Sequence, residues 1–390
     1  MKFFNKKNNM VPFGKPIINS KEIDEVTKVL KSGIYAHGPI SKQFEYEFSK
    51  FTKSKFATTV SSCTAGMHLF YFCMGIGRGD EVIVPAQTHT ATAHAVELAG
   101  AKPVFIDCDI KTGNIDCNQI VKKITKKTKA ICVVHFLGMP VNMSKILKIV
   151  KTYKLLLIED CALSLGAIYN KKHTGLSGDA GVFSFYPAKH ITTGEGGMII
   201  TNKKKVYEKI KISKSLGINK SFLERKTPGI YDATALGFNY RMSEIHAAIG
   251  LNQIKKLNSF LKKRKSNFNY LKNKLKFHNN LQILDQDKKN IKNSYYCLNV
   301  LLLKSLSKNR MNIIRYLKSK KIGTSIYYPQ PVPRMKYYKT KYGYIKKDFK
   351  NAEQISDSCI SFPVGPHLSK SQMNYLINHF LKILKTYERK

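Results

Sequence analysis

No stretch of this 390-residue chain holds the ~18 consecutive apolar residues that a membrane-spanning helix needs. The basic opening, Met1-Lys-Phe-Phe-Asn-Lys-Lys7, is followed by no apolar segment, which predicts no secretory signal. The eight cysteines, at 63, 73, 108, 117, 132, 161, 297 and 359, include no Cys-x-x-Cys pair, so the common zinc spacings are absent. Several lie in apolar strand-like runs, such as Ala130-Ile-Cys-Val-Val134, the pattern of buried reduced thiols in a cytoplasmic protein. His89 and His94 lack the i, i+4 spacing of a helical ligand pair, and no metal site is expected. The P-loop pattern is missing, which argues against an ATP site.

Acidic residues are scarce: 25 against 67 basic ones, for a net charge of +42. That excess admits two readings, a nucleic-acid binder or a compositional bias. Arginine, the better bidentate phosphate reader, accounts for only eight of the basic residues; the other 59 are lysines. They are spread along the chain with no long basic tail, and Asn, Ile and Tyr are also plentiful, as AT-rich coding would favour. Nucleic acid is therefore not expected as the main partner. A positive field would still attract a small anionic substrate.

What is present is a long alternation of elements. Hydrophobic residues make up 43 %, enough for a large domain and a smaller one. Ile23, Val26, Val29 and Leu30 have helical spacing, with Ser20 as N-cap, and 41–53 reads as a second helix. Apolar runs at 56–60, 81–84, 102–106, 130–135, 155–158, 180–185 and 197–201 alternate with helical stretches. This predicts an α/β domain with a mostly parallel central sheet. Residues 203–235 read as a helix and a long loop. Ser243 caps a long helix, along which the domain boundary is placed: 1–255, including an N-terminal arm 1–30, and 256–390. Strand-like 295–303, a helix over 307–320 and a last helix from 369 make the second part a smaller α+β domain.

Lys189 stands out from the other lysines by its context. It follows the strand-like Gly181-Val-Phe-Ser-Phe185 and precedes the polar, Gly-rich Thr192-Thr-Gly-Glu-Gly-Gly197. An amine aimed between a rigid strand and a turn, and partly desolvated, can lose its proton and attack a carbonyl. Asp160 closes the apolar run Leu155-Leu-Leu-Ile-Glu-Asp160. A carboxylate at the carboxyl end of a sheet strand can hold a protonated ring nitrogen of a cofactor, or simply cap the next helix. Val60-Ser-Ser-Cys-Thr-Ala-Gly66 is a strand, a small polar turn and a helix start. Thr64 and Ala65 are natural donors to a phosphate there; a plain Ser/Thr cap is the alternative. Ser184 is a second phosphate ligand or an ordinary strand serine. Asn239 and Arg241, in Gly237-Phe-Asn-Tyr-Arg-Met242, point to recognition at the entry of the long helix.

Together these segments resemble the DegT/StrS sugar aminotransferases, pyridoxal-phosphate enzymes of the aspartate-aminotransferase fold. The likeness runs from Val11-Pro-Phe-Gly-Lys-Pro16 through Val84-Pro-Ala-Gln-Thr-His-Thr-Ala-Thr-Ala93, Glu159-Asp160, the Lys189 segment and Asn239-Tyr-Arg-Met242 to Ser361-Phe-Pro363. It implies that Lys189 carries pyridoxal 5′-phosphate as a Schiff base and that Asp160 pairs with the pyridine nitrogen. It implies that Thr64, Ala65 and Ser184 hold the phosphate, with Asn239 reaching it from the other subunit of a homodimer. His89 falls where the family stacks an aromatic residue on the ring. Leu163 falls where it often has Gln or His near the ring hydroxyl; Ser164 or water would take over. Cys63 replaces a frequent glycine. The implied reaction moves an amine from glutamate to a nucleotide-diphosphate keto-sugar, for polysaccharide, glycan or antibiotic sugar synthesis. Related dehydratases replace the lysine by histidine, whereas here Lys189 is present with His190 beside it. A cofactor-binding regulator without turnover is a further alternative. Segments 33–40, 217–235 and 327–340 are expected to shape the sugar pocket, with Arg334 and Lys336 as candidate diphosphate contacts.

Overall fold

The computed structural model describes residues 10–219, 227, 229–286 and 289–388. Its centre is a seven-stranded sheet: β1 (Phe56–Val60), β2 (Glu81–Pro85), β3 (Lys102–Ile106), β4 (Thr128–Val134), β5 (Leu156–Asp160), β6 (Ala180–Ser184) and β7 (Gly197–Thr201). The spatial order is β1-β7-β6-β5-β4-β2-β3. The pairs from β6 through β3 are all parallel, and only β7 runs against its neighbours. The inner parallel strands β4 and β5 are buried nearly end to end because helices cover both faces, which is why they read as unbroken apolar runs.

Several helices set the site. α1 (Ser20–Ser32) and α2 (Pro39–Thr52) precede the sheet; α3 (Cys63–Cys73) follows β1 and α4 (Thr90–Leu98) follows β2. α5 (Met143–Tyr153) leads into β5, and α6 (Lys204–Ser213) follows β7. Phe44 and Phe48 of α2 pack on Phe183 and Phe185, with ring centroids 5.1–5.7 Å apart, and so buttress the strand that leads to Lys189. α7 (Glu244–Leu275) lies across the same helix, and Glu244 Oε2 caps it by accepting from the N–H of Ile40 (2.7 Å) and Ser41 (3.2 Å). Gly38 permits this contact, since a Cβ there would lie 2.7 Å from the same carboxylate oxygen.

α7 joins two cores without a break. Ala247, Leu251 and Leu261 pack in the core beside β6, while Phe268, Leu271 and Leu275 pack in a second core around a three-stranded antiparallel sheet. Those strands are β8 (Leu281–Ile283), β9 (Leu298–Leu302) and β10 (Cys359–Phe362). They are covered by α8 (Arg310–Ser319) and, at the end of the described chain, by Lys370–Glu388. Val11 of the N-terminal arm joins this second core, with its N–H on the carbonyl of Lys321 at 3.0 Å.

The first helix differs from expectation. Asn19, not Ser20, is the N-cap, because Asn19 and Glu22 form a reciprocal capping box. Glu22 is buried against Gln253 and Lys256, while Ile23 and Leu30 are 59 % and 50 % exposed. Of the four apolar positions of α1, Val29 is buried and Val26 half-buried, while Ile23 and Leu30 face away from the core.

Candidate active site

Lys189 sits on a loop closed at its neck. The N–H of Phe185 donates to Gly196 O (2.9 Å) and that of Thr193 to Phe185 O (3.0 Å). Within the loop, Lys189 N–H donates to Tyr186 O at 2.9 Å. His190 anchors it: the ring is buried, and its Nε2 lies 3.0 Å from Ser294 O. Burial and the nearby Arg264 charge hold this imidazole well below its usual range, so it is neutral and Nε2 carries the donated proton. Lys189 Nζ lies 5.5 Å from the ring centroid of Tyr296. Burial pulls the Lys189 ammonium below the ordinary lysine range, with Cys63 and Asp160 acting in the opposite direction.

Asp160 ends β5, and its side chain points away from that of Glu159 because strand residues alternate. Oδ1 accepts from Ala162 N–H at 3.0 Å and has the Cys63 thiol at 4.0 Å. Oδ2 accepts from Thr92 Oγ1 at 2.8 Å, and Thr92 Oγ1 is 2.7 Å from Thr88 Oγ1. On the other face, Glu159 is wholly buried. It bonds His135 Nε2 (2.9 Å) and accepts from the N–H of Gly175, Ser177 and Gly178 at 2.7–2.8 Å. Burial alone raises this carboxyl, but His135 and the amides more than offset it and leave it below the usual range. His135, Glu159 and Cys161 also have their ligand-type atoms within 4.8 Å of one another. The glutamate oxygens are already taken up by the amides and His135, so the group braces the strand ends.

The turn after β1 meets β6 and β7 at Gly197. Gly197 pairs with Ser184, and a Cβ on it would lie 2.8 Å from Cys63 N. Only glycine lets the start of α3 approach the ends of β6 and β7 this closely. Ser62 is the N-cap, and its Oγ accepts from Ala65 N–H at 3.0 Å. Ala65 thus already has an acceptor, and the open end of the helix is carried by Cys63 and Thr64.

The other expected site residues are placed as follows. His89 is exposed, accepts from Ala91 N–H through Nδ1 (3.2 Å), and sets its ring edge-on to Tyr328 at 5.7 Å. The crowding of its ring by neighbouring groups and the Lys189 charge lower its pKa although part of the residue reaches solvent, and with Nδ1 accepting, its neutral ring carries the proton on Nε2. Leu163 packs among Phe136, Met139, Tyr296 and Tyr328. Ser164 is buried with its hydroxyl 3.1 Å from Thr174 Oγ1, so that hydroxyl has a partner of its own. Asn239 is exposed, next to Tyr240, whose carbonyl accepts from Ser61 N–H at 2.8 Å. Arg334, a candidate diphosphate contact, instead makes a two-point ion pair with Asp357 (2.6 and 2.9 Å). Part of the expected pocket segment 217–235, namely 220–226 and 228, lies outside the described residues. The sequence reading missed Thr88 and Thr92. Their signal was two threonines four apart, straddling a helix start just after a strand's carboxyl end.

The pattern of the DegT/DnrJ/EryC1/StrS aminotransferase family matches residues 16–381. The chain belongs to this family. GDP-perosamine synthase of Escherichia coli O157:H7 is 35 % identical over 95 % of this chain and 98 % of its own length. Spore coat polysaccharide biosynthesis protein SpsC of Bacillus subtilis is 34 % identical, covering 97 % and 98 %. The solved PLP form of Spr1654 from Streptococcus pneumoniae superposes with a TM-score of 0.90 at 26 % identity, over 97 % of this chain and 99 % of that one. The family aminotransferase described here has the fold of the pyridoxal-phosphate-dependent transferases, and its cofactor is pyridoxal 5′-phosphate. The residues fit that group: an amine of lowered pKa, a braced carboxylate at the end of β5, and a helix start that Gly197 lets come close to the ends of β6 and β7.

Proposed function

We propose that the protein transfers an amino group from glutamate to a nucleotide-linked keto-sugar, for amino-sugar or surface-polysaccharide synthesis. The observation that carries this reading is the Lys189 amine, held on a pinned loop, lowered in pKa by burial, and placed in the field of Asp160. Pyridoxal 5′-phosphate, when bound, supplies the electron sink that stabilises charge at the substrate carbon. Lys189 would hold it, Asp160 would pair with its ring nitrogen, and Thr64, Ala65 and Ser184 would hold its phosphate. Ala65 would do so by exchanging its bond to Ser62. The neutral ring of His89 would cover the face of the cofactor. Once the amino donor has taken its place on the cofactor, Lys189 Nζ is again a free amine and would carry the proton away from the donor carbon that bears nitrogen. In the second half-reaction the same amine returns a proton to the sugar carbon that accepts nitrogen. One site thus serves both substrates in turn. Asn239, exposed on its own chain, would complete the phosphate site of a second subunit in a homodimer. Names of relatives support the sugar: GDP-perosamine synthase is made for a nucleotide sugar by its name, and SpsC for a polysaccharide.

The test uses the protein loaded with pyridoxal 5′-phosphate. Glutamate should bleach the visible band of the bound cofactor, and one member of a panel of nucleotide-linked keto-sugars should restore it. Lys189→Ala should lose the turnover by about 10³-fold. A band that glutamate leaves unchanged, or a Lys189→Ala protein with undiminished turnover, would overturn the reading.

A further inference from the structure

Asp160 does not stand alone at the end of β5. Thr92, with no exposed surface, donates its hydroxyl to Oδ2 at 2.8 Å, and Thr88, 1 % exposed, lies 2.7 Å behind it. A hydroxyl has one proton. Thr92 gives its proton to Asp160, so the bond between the two threonines runs from Thr88 to Thr92. The direction of the whole chain is then fixed: Thr88 to Thr92 to Asp160. Ala162 N–H holds the other oxygen, so the plane of the carboxylate is set from both sides. Thr92 itself has little freedom. It is β-branched, lies in the first turn of α4, and its N–H donates to His89 O at 3.1 Å. One short segment, Thr88–Thr92, thus both braces the carboxylate and carries His89.

We infer that Thr92, backed by Thr88, is a positioning residue that holds Asp160 in the orientation the pyridine nitrogen of the cofactor requires. This rests on the reading above that Asp160 pairs with that nitrogen. The hydroxyls act through Asp160, the group that Thr92 bonds directly. Hydrogen bonds in chains polarise one another, so the outer threonine strengthens the inner contact.

The experiment compares Thr92→Val, Thr92→Ser and Thr88→Val with the intact protein. Each is measured for pyridoxal 5′-phosphate affinity, by titrating the cofactor-free protein, and for kcat and KM of the amino donor. Thr92→Val keeps the shape and loses the hydroxyl. It should weaken cofactor affinity and lower kcat by about tenfold each, with KM within about twofold, because a hydrogen bond to a charged group is lost. Thr92→Ser keeps the hydroxyl and should recover both to within about threefold; Thr88→Val should fall between. Wild-type affinity and kcat in Thr92→Val overturn the inference. So does a Thr92→Ser protein as impaired as Thr92→Val, which would mean packing alone. Should Thr92→Val fail to fold, as judged by its thermal transition, Thr88→Val decides: unchanged affinity and kcat there overturn the relay. Asp160→Asn separates the two layers. If it binds cofactor and turns over like the intact protein, the ring-nitrogen reading fails. If it is inactive while Thr92→Val is normal, only the threonine inference fails. In the Asp160→Asn background, Thr92→Val should add less than about twofold, because both act through one group.

Discussion

A lysine amine attacks a carbonyl only without its proton, and an ordinary lysine at neutral pH almost never lacks it. Lys189 is different because of where its chain is tied. The bonds at Phe185, Thr193 and Gly196 close the loop, His190 fixes it to Ser294, and the amine is left facing the Tyr296 ring. Burial disfavours the ammonium, so the neutral amine is populated at lower pH than in the surface lysines. The expected consequence is a pH dependence with a definite sign. The rate at which the cofactor-free protein captures pyridoxal 5′-phosphate should rise with pH and level off at a midpoint below the usual lysine value of about 10.4. A stopped-flow series across pH reads that midpoint directly. A rate still climbing at the usual lysine value would mean that burial does not tune this amine. The lysine's importance was legible in the sequence, since a strand before it and glycines after it are local features. The tie through His190 was not, because Ser294 lies 104 positions away.

At the scale of elements, the carboxyl ends of β4 and β5 must be held to the start of β6 while they carry reactive groups, and Glu159 does this from the face opposite Asp160. It gathers the end of β4 through His135 and the loop before β6 through Gly175, Ser177 and Gly178. Its folded carboxyl lies below the usual range. The stabilisation is therefore present above the unfolded carboxyl value of about 4.3 and lost as pH falls through the lower folded value. Glu159→Gln should cost about 3 kcal/mol at pH 7, from a buried charge-assisted network broken on one side. Denaturant unfolding at several pH values checks it. The gap between the two proteins should narrow under acid, and a gap independent of pH would contradict the assignment. How far the sequence exposes such elements depends on how local their cause is. The strand 197–201 is found where its apolar run places it, because burial on both faces writes a continuous signal, and the half-buried edge strand 102–106 is found where its run places it too. The first helix begins one cap earlier than read, because Asn19 and Ser20 are both good caps and only the Glu22 reciprocity chooses between them. Thr92 on Asp160 and Arg334 on Asp357 are tertiary pairings, and neither periodicity nor spacing encodes them. Leu163 is legible as a departure, yet the hydroxyl beside it, Ser164, turns to Thr174, a partner fixed only by the fold.

The whole molecule carries apolar side chains that its described residues leave exposed. Ile23 and Leu30 of α1 are about half exposed, and Leu236, close before Asn239, is 73 % exposed. Such groups on a protein this strongly charged are the material of a subunit interface. In the proposed homodimer each site takes Lys189 from one subunit and Asn239 from the other, and this arrangement has a decisive test. Lys189→Ala removes the amine, and Asn239→Asp sets a negative charge toward the phosphate. Each homodimer alone should be at least about tenfold less active than the intact protein. Unfolding and refolding the two variants together makes hybrid dimers. In a hybrid, one site combines both defects, and the other combines an intact Lys189 with an intact Asn239. Random pairing makes half the dimers hybrid with one sound site each, so activity should return to about a quarter of the intact level. If Asn239 served the site of its own chain, every Lys189-bearing site would also hold the substituted residue, and mixing would restore nothing. The size of the recovery thus reports which subunit supplies the asparagine.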